Sequence, residues 1–429
     1  MIAAEKYLKE NTEWYEFFFE ESESFPISFA NNRFYSMSEK FSSGCGIRVS
    51  VGGRIGFSFS NNKDKLLETA QTAVSLAKFS EIQNIRLPEL PQNIIEPITY
   101  SEEEISEDNE ILTAEKTISY IKEQFDDALS DVRINSGKGS RHIVNSMGLD
   151  YSSKYSFYSA SVSTERILED KSRISVWEAV SSIKKENYDH LFSEIIKMHK
   201  LSQNNAKVNS GKVPVIFTPH AFSSLISILL NQLSGGSHYK KISPFTGKIG
   251  EKLFSDNLTI TDNPLLDNSY HSFGIDDEGI TSRNKDIISS GIIKEIITDL
   301  KYSSLLGISP SGNSSRSYSS LPSPSFSNVI IAPGQSSLSE IMKNAKSGIF
   351  VDQMIGLGQS NTITGDFSCN LSLAFSFDEN GILGRIKDCM LSGNLYQLLN
   401  RDLLFSNETK QTGNFNCPYV MFSSMDLSV

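Results

Sequence analysis

Ile47-Arg48-Val49-Ser50-Val51 and Arg54-Ile55-Gly56-Phe57-Ser58-Phe59 are two strand-like runs separated by Gly52-Gly53. A two-residue connection reverses a chain cleanly through a primed turn, whose positive φ values glycine tolerates best. The segment therefore predicts an antiparallel hairpin. Trp14 to Phe19, Phe25 to Ala30 and Arg33 to Met37 are further aromatic-rich runs, with Asn31-Asn32 as a turn signal before the last. The regular strand-helix alternation expected of a parallel sheet is missing. The expected class is α+β with mostly antiparallel sheets.

Helices punctuate this pattern. Asp64 to Phe79 places Leu66, Leu67, Ala70, Ala73, Val74 and Ala77 at helical spacing. Pro88, Pro91 and Pro97 then interrupt regular structure and suggest a linker. Ser101 to Leu129 reads as a helix with an acidic start, which its dipole favours. Asp131 to Val180 reads as strands with turns at Gly137-Lys138-Gly139 and Met147-Gly148, and a helix follows near Tyr188 to Leu201. Val213 to Thr218 is a short apolar strand, with Thr218 as candidate cap and Pro219 as first residue of a helix carrying Phe222, Leu225, Ile226, Leu229 and Leu233. A long loop is expected from Ser309 to Ser327, and short helices near Leu338 to Lys346 and Leu395 to Leu404. The expected division is 1–87, an N-terminal α/β part; 88–211, linker and central α/β region; and 212–429, a C-terminal β-rich part.

Composition narrows the function. At 429 residues the chain has room for two or three domains and a large core. Forty Lys and Arg against 51 Asp and Glu give a net charge of -11, with no visible basic patch, which disfavours a nucleic-acid partner. Cys45, Cys369, Cys389 and Cys417 are widely separated, as expected of reduced, packed thiols. The first residues, MIAAEKYLKENTEWYE, lack the apolar core of a signal peptide, and Leu225 to Leu233 is too short and too polar to span a membrane. A cytoplasmic protein with no membrane partner is expected.

Common catalytic signatures are absent. There is no G-x-S-x-G, no G-x-G-x-x-G and no P-loop, and no two of the six histidines lie three to five residues apart. Two segments stand out. One is Asp276-Asp277-Glu278-Gly279, followed by Arg283; the other pairs Thr364-Gly365-Asp366-Phe367-Ser368 with Ser392-Gly393-Asn394. Three successive carboxylates before a glycine suit a cation or acid–base chemistry, but the residues alone favour an acidic turn bonded to its own backbone.

At these segments the sequence resembles the TldD/PmbA family, whose members were once described as modulators of DNA gyrase. The resemblance runs nearly end to end. It includes Gly46-Ile47-Arg48-Val49, Gly53-Arg54-Ile55-Gly56-Phe57, Gly247-Lys248-Ile249-Gly250-Glu251, the Asp-Asp-Glu-Gly block, Leu305-Leu306-Gly307, Ser311-Gly312-Asn313, and the Gly-Asp-Phe-Ser and Ser-Gly-Asn elements. It implies an N-terminal α/β part and a C-terminal barrel-like part. TldD-type members carry H-E-x-x-x-H and a downstream cysteine, with the histidines and cysteine as metal ligands and the Glu as general base. The matching positions here are Ile226, Ser227 and Asn231, and Asn407 to Gly413 stands nearest to the missing cysteine. Isoleucine offers no lone pair to zinc, which needs about three protein ligands.

The resemblance thus implies the PmbA/TldE type, without a catalytic residue, metal or other cofactor of its own. Its expected partner is a TldD-like H-E-x-x-x-H peptidase subunit in a heterodimer, or a second copy in a homodimer, acting on peptides in proteolysis or peptide maturation. Gly365, Asp366, Phe367, Ser392, Gly393 and Asn394 are the candidates for a substrate cavity, whereas Asp276, Asp277, Glu278 and Arg283 match family motifs without a defined role. A free-standing hydrolase using His238 and His271 with Asp276 or Glu278 is the alternative. A factor acting on DNA topology is the third reading, suggested by the old family description alone.

Overall fold

A computed structural model of the chain describes all residues except Tyr188 and Asp402. Among the described residues, the N-terminal sheet has seven strands: β1 (Trp14–Ala30), β2 (Arg33–Met37), β3 (Lys40–Val51), β4 (Arg54–Ser60), β5 (Leu129–Asn145), β6 (Asp150–Ile167) and β7 (Arg173–Ser182). Their order is β4-β3-β1-β5-β6-β7, with β2 also on β1, and every pairing is antiparallel. Gly52 and Gly53 take φ of 59° and 71°, the left-handed pair that the hairpin requires. Helices α1 (Ile2–Asn11), α2 (Leu66–Ala77), α3 (Glu107–Gln124) and α4 (Asp189–Leu201) accompany this sheet.

Several sequence expectations need correction. Trp14 to Ala30 is one 17-residue strand, because β1 pairs along its length with β5 and, in succession, with β3 and β2. Gly137-Lys138-Gly139 is no turn but lies inside β5. A Cβ on Gly137 would fall 2.7 Å from the Phe157 ring, and one on Gly139 would fall 2.5 Å from Tyr155. The glycines there make room for aromatic rings on β6. The acidic run Glu102 to Glu104 precedes α3, which starts after the Ser106 cap, and Leu129 already belongs to β5. The helix anticipated near Tyr188 is seen from Asp189; Tyr188 lies outside the described residues.

The second half starts with β8 (Gly211–Phe217), α5 (Pro219–Gln232) and α6 (Gly235–Tyr239). It continues with β9 (Ile260–Asp262), β10 (Lys285–Ser289), β11 (Ile292–Ile293), α7 (Leu300–Leu306), β12 (Ser314–Ser315), β13 (Ser323–Pro324), β14 (Val329–Ile331) and α8 (Leu338–Ala345). The last elements are β15 (Ser347–Ile355), β16 (Asp366–Asp378), β17 (Gly381–Arg385), β18 (Met390–Asn394), α9 (Leu395–Leu399), β19 (Leu403–Thr412) and β20 (Phe415–Ser428). The expected Ser309–Ser327 loop thus holds the small β12–β13 pair, and the last short helix ends at Leu399.

β8 pairs with β15, β15 with β16, β16 with β18, β18 with β20, and β20 returns to β8. That ring is a five-stranded barrel, closed by the parallel β8–β15 contact. Its interior residues, with α5, form a large apolar core that includes Phe217, Phe222, Leu225, Ile226 and Phe422. A second core joins the barrel wall (Ile216, Leu373, Phe375, Met421) to the first sheet and its helices (Ile27, Val132, Tyr158, Val162, Ile195). No helix among the described residues is long and apolar enough to cross a membrane.

Candidate functional site

Thr218 follows β8 as the cap of α5, and its hydroxyl accepts the Ala221 N–H, so that α5 begins with Pro219 in its first turn as the sequence predicts. Ile226 is fully buried in the barrel core. Ser227 donates its hydroxyl to the Ser223 carbonyl at 2.7 Å, and Asn231 is exposed with its carbonyl accepting from Ser234 and Ser237. All four cysteines are buried, and burial raises the thiols of Cys45, Cys369, Cys389 and Cys417. Among the described residues no three His, Cys, Asp or Glu side chains are grouped to hold a metal ion. Isoleucine has no lone pair, the Ser227 hydroxyl is engaged by Ser223, and Asn231 is a neutral amide, so these three side chains do not offer the ligand set that a catalytic zinc needs.

The polar face of α5 instead forms one wall of a cleft with a volume of about 780 Å³. His220, Ser223, Ser224 and Ser227 face Trp177 and Glu178 of β7, Asp352 to Ile355 of β15, and the β19–β20 turn at Gly413. Trp177 meets the His220 ring edge-on, with centroids 4.3 Å apart. Glu178 accepts twice from the Lys410 ammonium, at 2.7 and 2.8 Å. Burial raises the carboxyls of Glu178 and Asp352 above their ordinary range and lowers the imidazole of His220.

Backbone geometry leaves one edge of this cleft unpaired. β8 pairs with β15 at Ile349 to Val351 and then turns into α5, so Asp352 to Ile355 have no strand on the α5 side among the described residues. The β15–β16 register shifts between Val351 and Gln353, a bulge at Asp352. Bulges re-aim side chains and strengthen local twist. Here the bulge accompanies a carboxylate at the cleft floor. Sequence reasoning did not single out His220, Trp177, Glu178, Asp352 or Lys410, which come from four separate elements, α5, β7, β15 and β19. The one available signal was a carboxylate inside the apolar run Ile349 to Ile355.

Asp276, Asp277 and Glu278 lie elsewhere and turn inward. Asp276 accepts from the backbone N–H of Glu278, Ile280 and Ser314 at 2.9–3.0 Å, and burial together with the Glu278 charge pushes its carboxyl up to about 8. Asp277 accepts from Arg316 N–H, and Glu278 accepts from Leu300 N–H and from the Arg48 guanidinium. Glu16 sits between Arg48 at 3.2 Å and Arg316 at 2.6 Å, all three buried. This network binds the loop to the first sheet. Arg283 is separate and forms an ion pair with Glu295. Neither His238 nor His271 shares a hydrogen bond or ion pair with Asp276 or Glu278 among the described residues.

Asp366 and Phe367 of β16 pair with Asn394 and Gly393 of β18, Ser392 lies opposite Ser368, and the carbonyl of Gly365, just before β16, accepts from the Leu395 N–H. Asp366 accepts from Thr364 Oγ1 at 2.7 Å and Asn394 Nδ2 at 2.8 Å, which hold its carboxyl below the usual range. Gly365 has φ of 80° and lies beneath Tyr396, while Phe367 is buried in the barrel core. None of the six is among the residues lining the α5 cleft.

Comparison with known proteins agrees with this architecture. The chain aligns over 391 residues with an uncharacterised protein of Methanocaldococcus jannaschii, 27% identical and covering 88% of each chain. A metalloprotease TldD homolog of Buchnera aphidicola is 30% identical over 235 residues, 53% of this chain and 48% of that protein. Metalloprotease PmbA of Escherichia coli O157:H7 is 26% identical over 222 residues, 52% of this chain and 47% of that protein. The match thus spans about half of each named metalloprotease. The crystal structure of TldE from Thermococcus kodakarensis superimposes with a TM-score of 0.91 at 23% identity, covering all of both chains, and so shares the fold. Residues 15–77 match the model for PmbA/TldA metallopeptidase domain 1, and residues 210–429 match that for the PmbA/TldA metallopeptidase C-terminal domain. With more than half its length matched by the latter, the chain belongs to the PmbA/TldD family.

Proposed function

We propose that the protein is a PmbA/TldE-type subunit that binds peptide and pairs with a TldD-type H-E-x-x-x-H subunit, which carries the metal and the hydrolytic chemistry. The observation carrying this reading is the helix α5. At the family's motif positions it has Ile226, Ser227 and Asn231, and no H-E pair exists anywhere in the sequence. A buried isoleucine cannot ligate, yet the opposite face of the same helix still borders a cleft. The open edge at Asp352 to Ile355 offers backbone donors and acceptors to an extended peptide whatever its side chains, the chemistry of strand addition. Serine hydroxyls on α5 and the apolar Met354 and Phe415 supply mixed contacts.

In this reading the chain works in the cytoplasm, as a dimer, in proteolysis or peptide maturation, and contributes recognition rather than the metal. Gly365-Asp366-Phe367 and Ser392-Gly393-Asn394 then form part of the enclosure that the two subunits complete.

Co-expression with an H-E-x-x-x-H relative tests it. The expected result is a stoichiometric complex whose zinc is lost when the partner's motif is altered. Cleavage of denatured peptide should require both chains. Chelator-sensitive cleavage by this chain alone would overturn the proposal and favour the free-standing hydrolase.

A further inference from the structure

The cleft floor has an unequal set of charges. Glu178 is fully engaged with Lys410, but Asp352 has no cation within ion-pair distance among the described residues. Its recorded partners are neutral: the Thr218 hydroxyl and Gln353 Nε2 at 3.4 Å. It is nevertheless 95% buried and lines the cleft, so its charge is poorly hydrated and has no direct ion pair, with only the more distant Lys410 ammonium, already engaged by Glu178, to offset it.

Two neighbours complete a receptor. The His220 ring makes no hydrogen bond among the described residues, and burial holds it neutral near pH 7, leaving a nitrogen lone pair to accept an N–H. Trp177, 40% exposed and in contact with that ring, adds the negative face of an indole. Carboxylate, neutral imidazole and aromatic face are all complementary to a compact, multiply donating cation. The bulge at Asp352 aims the carboxylate here, where the β15 edge is open to a chain. The described residues offer no three-ligand group for a metal ion, so the cation is molecular.

We infer that the floor of this cleft binds a primary ammonium group of a peptide, through Asp352, His220 and Trp177. The inference rests on the peptide-binding reading above and specifies which part of a peptide the subunit recognises. An N-terminal α-ammonium and a lysine side chain present the same chemistry.

Three synthetic octapeptides free of tryptophan distinguish them: one with a free amino terminus and no lysine, its N-acetylated form, and the N-acetylated form with one lysine. Binding to the full chain is followed by tryptophan fluorescence. The chain has two tryptophans, and Trp14 is buried with its Nε1 donating to the Ile85 carbonyl. Trp177→Phe therefore assigns the signal. The free-amine peptide should bind at least about tenfold more tightly than its acetylated form, and Asp352→Asn should erase that difference. If lysine restores binding to the acetylated peptide, the side-chain ammonium is a ligand too. Equal affinity of all three for the unaltered chain would overturn the ammonium inference while leaving the peptide cleft standing. Failure of every peptide to bind would overturn both. The acetylation comparison needs no variant, so a folding defect in Asp352→Asn does not decide the matter.

Discussion

His199 lies in the core with its ring 5.5 Å from Phe125, and burial, aided by the Arg166 charge, pushes it down to about 4 from an ordinary 6.5. The unfolded chain therefore binds the proton more strongly than the folded one. Stability from the neutral ring is fully present above pH 6.5 and is lost as pH falls from 6.5 to about 4, a change on the order of 3 kcal/mol. Urea titrations at pH 7.5 and 4.5 should show this loss, and His199→Leu should flatten it; an unchanged pH slope in the variant would refute the assignment. Ile226 makes the opposite case, a residue whose role was legible from position alone. Its helical spacing with Phe222, Leu225 and Leu229 marked it as a core residue, and it is fully buried. Installing Ile226→His, Ser227→Glu and Asn231→His together should not create a zinc site, since the buried helix face and the absent cysteine remain. The Ile226 change alone should cost about 2–5 kcal/mol through the lost core contacts. Stoichiometric zinc in the purified triple variant would contradict this. Asp352 was not legible, because one carboxylate in an apolar strand acquires meaning through a bulge and through neighbours contributed by other elements.

Among elements, packing distance explains what local pattern could and could not reveal. The Gly52-Gly53 hairpin and the Thr218-Pro219 start of α5 are set by neighbours in sequence, and both appear as expected. Gly137 and Gly139 looked like turn residues because their partners, Phe157 and Tyr155, lie on another strand. Gly56 is a similar case. A Cβ there would come within 1.9 Å of the Ala73 carbonyl oxygen, so α2 rests directly on β4. Gly56→Ala should push the helix away and destabilise by about 1–3 kcal/mol. A stability series in urea checks this against Gly148→Ala, where the added carbon meets no neighbour and only the positive φ opposes it. Equal losses at the two sites would show that close packing of α2 is not the cause at Gly56.

For the whole molecule, antiparallel bias and the α+β class were readable from pattern and the barrel-like second half from the family resemblance, but no local pattern showed which strands close the barrel. Its decisive pairs, such as Ile216 with Phe350 and Phe217 with Val420, join segments more than a hundred residues apart and carry no local signature. The Asp-Asp-Glu-Gly block was conspicuous for the same long-range reason. Its carboxylates, with Glu16, Arg48 and Arg316, couple the first sheet to the second half in a buried charge network. Arg48→Met would leave Glu16 and Glu278 short of a counter-charge and should cost about 3–5 kcal/mol. Equilibrium unfolding measures this, and a loss below about 1 kcal/mol would mean that the network is replaceable.

That coupling also orders events during synthesis. Glu16 emerges early, yet the guanidinium of Arg316 follows 300 residues later. At ~5–20 residues per second the ribosome needs roughly 15–60 s to deliver it. Through that interval Glu16 has at most Arg48 for company, so its buried charge network closes only after about three quarters of the chain has been made. Fragments that stop short of Arg316 will consequently be poor stand-ins for the amino-terminal half.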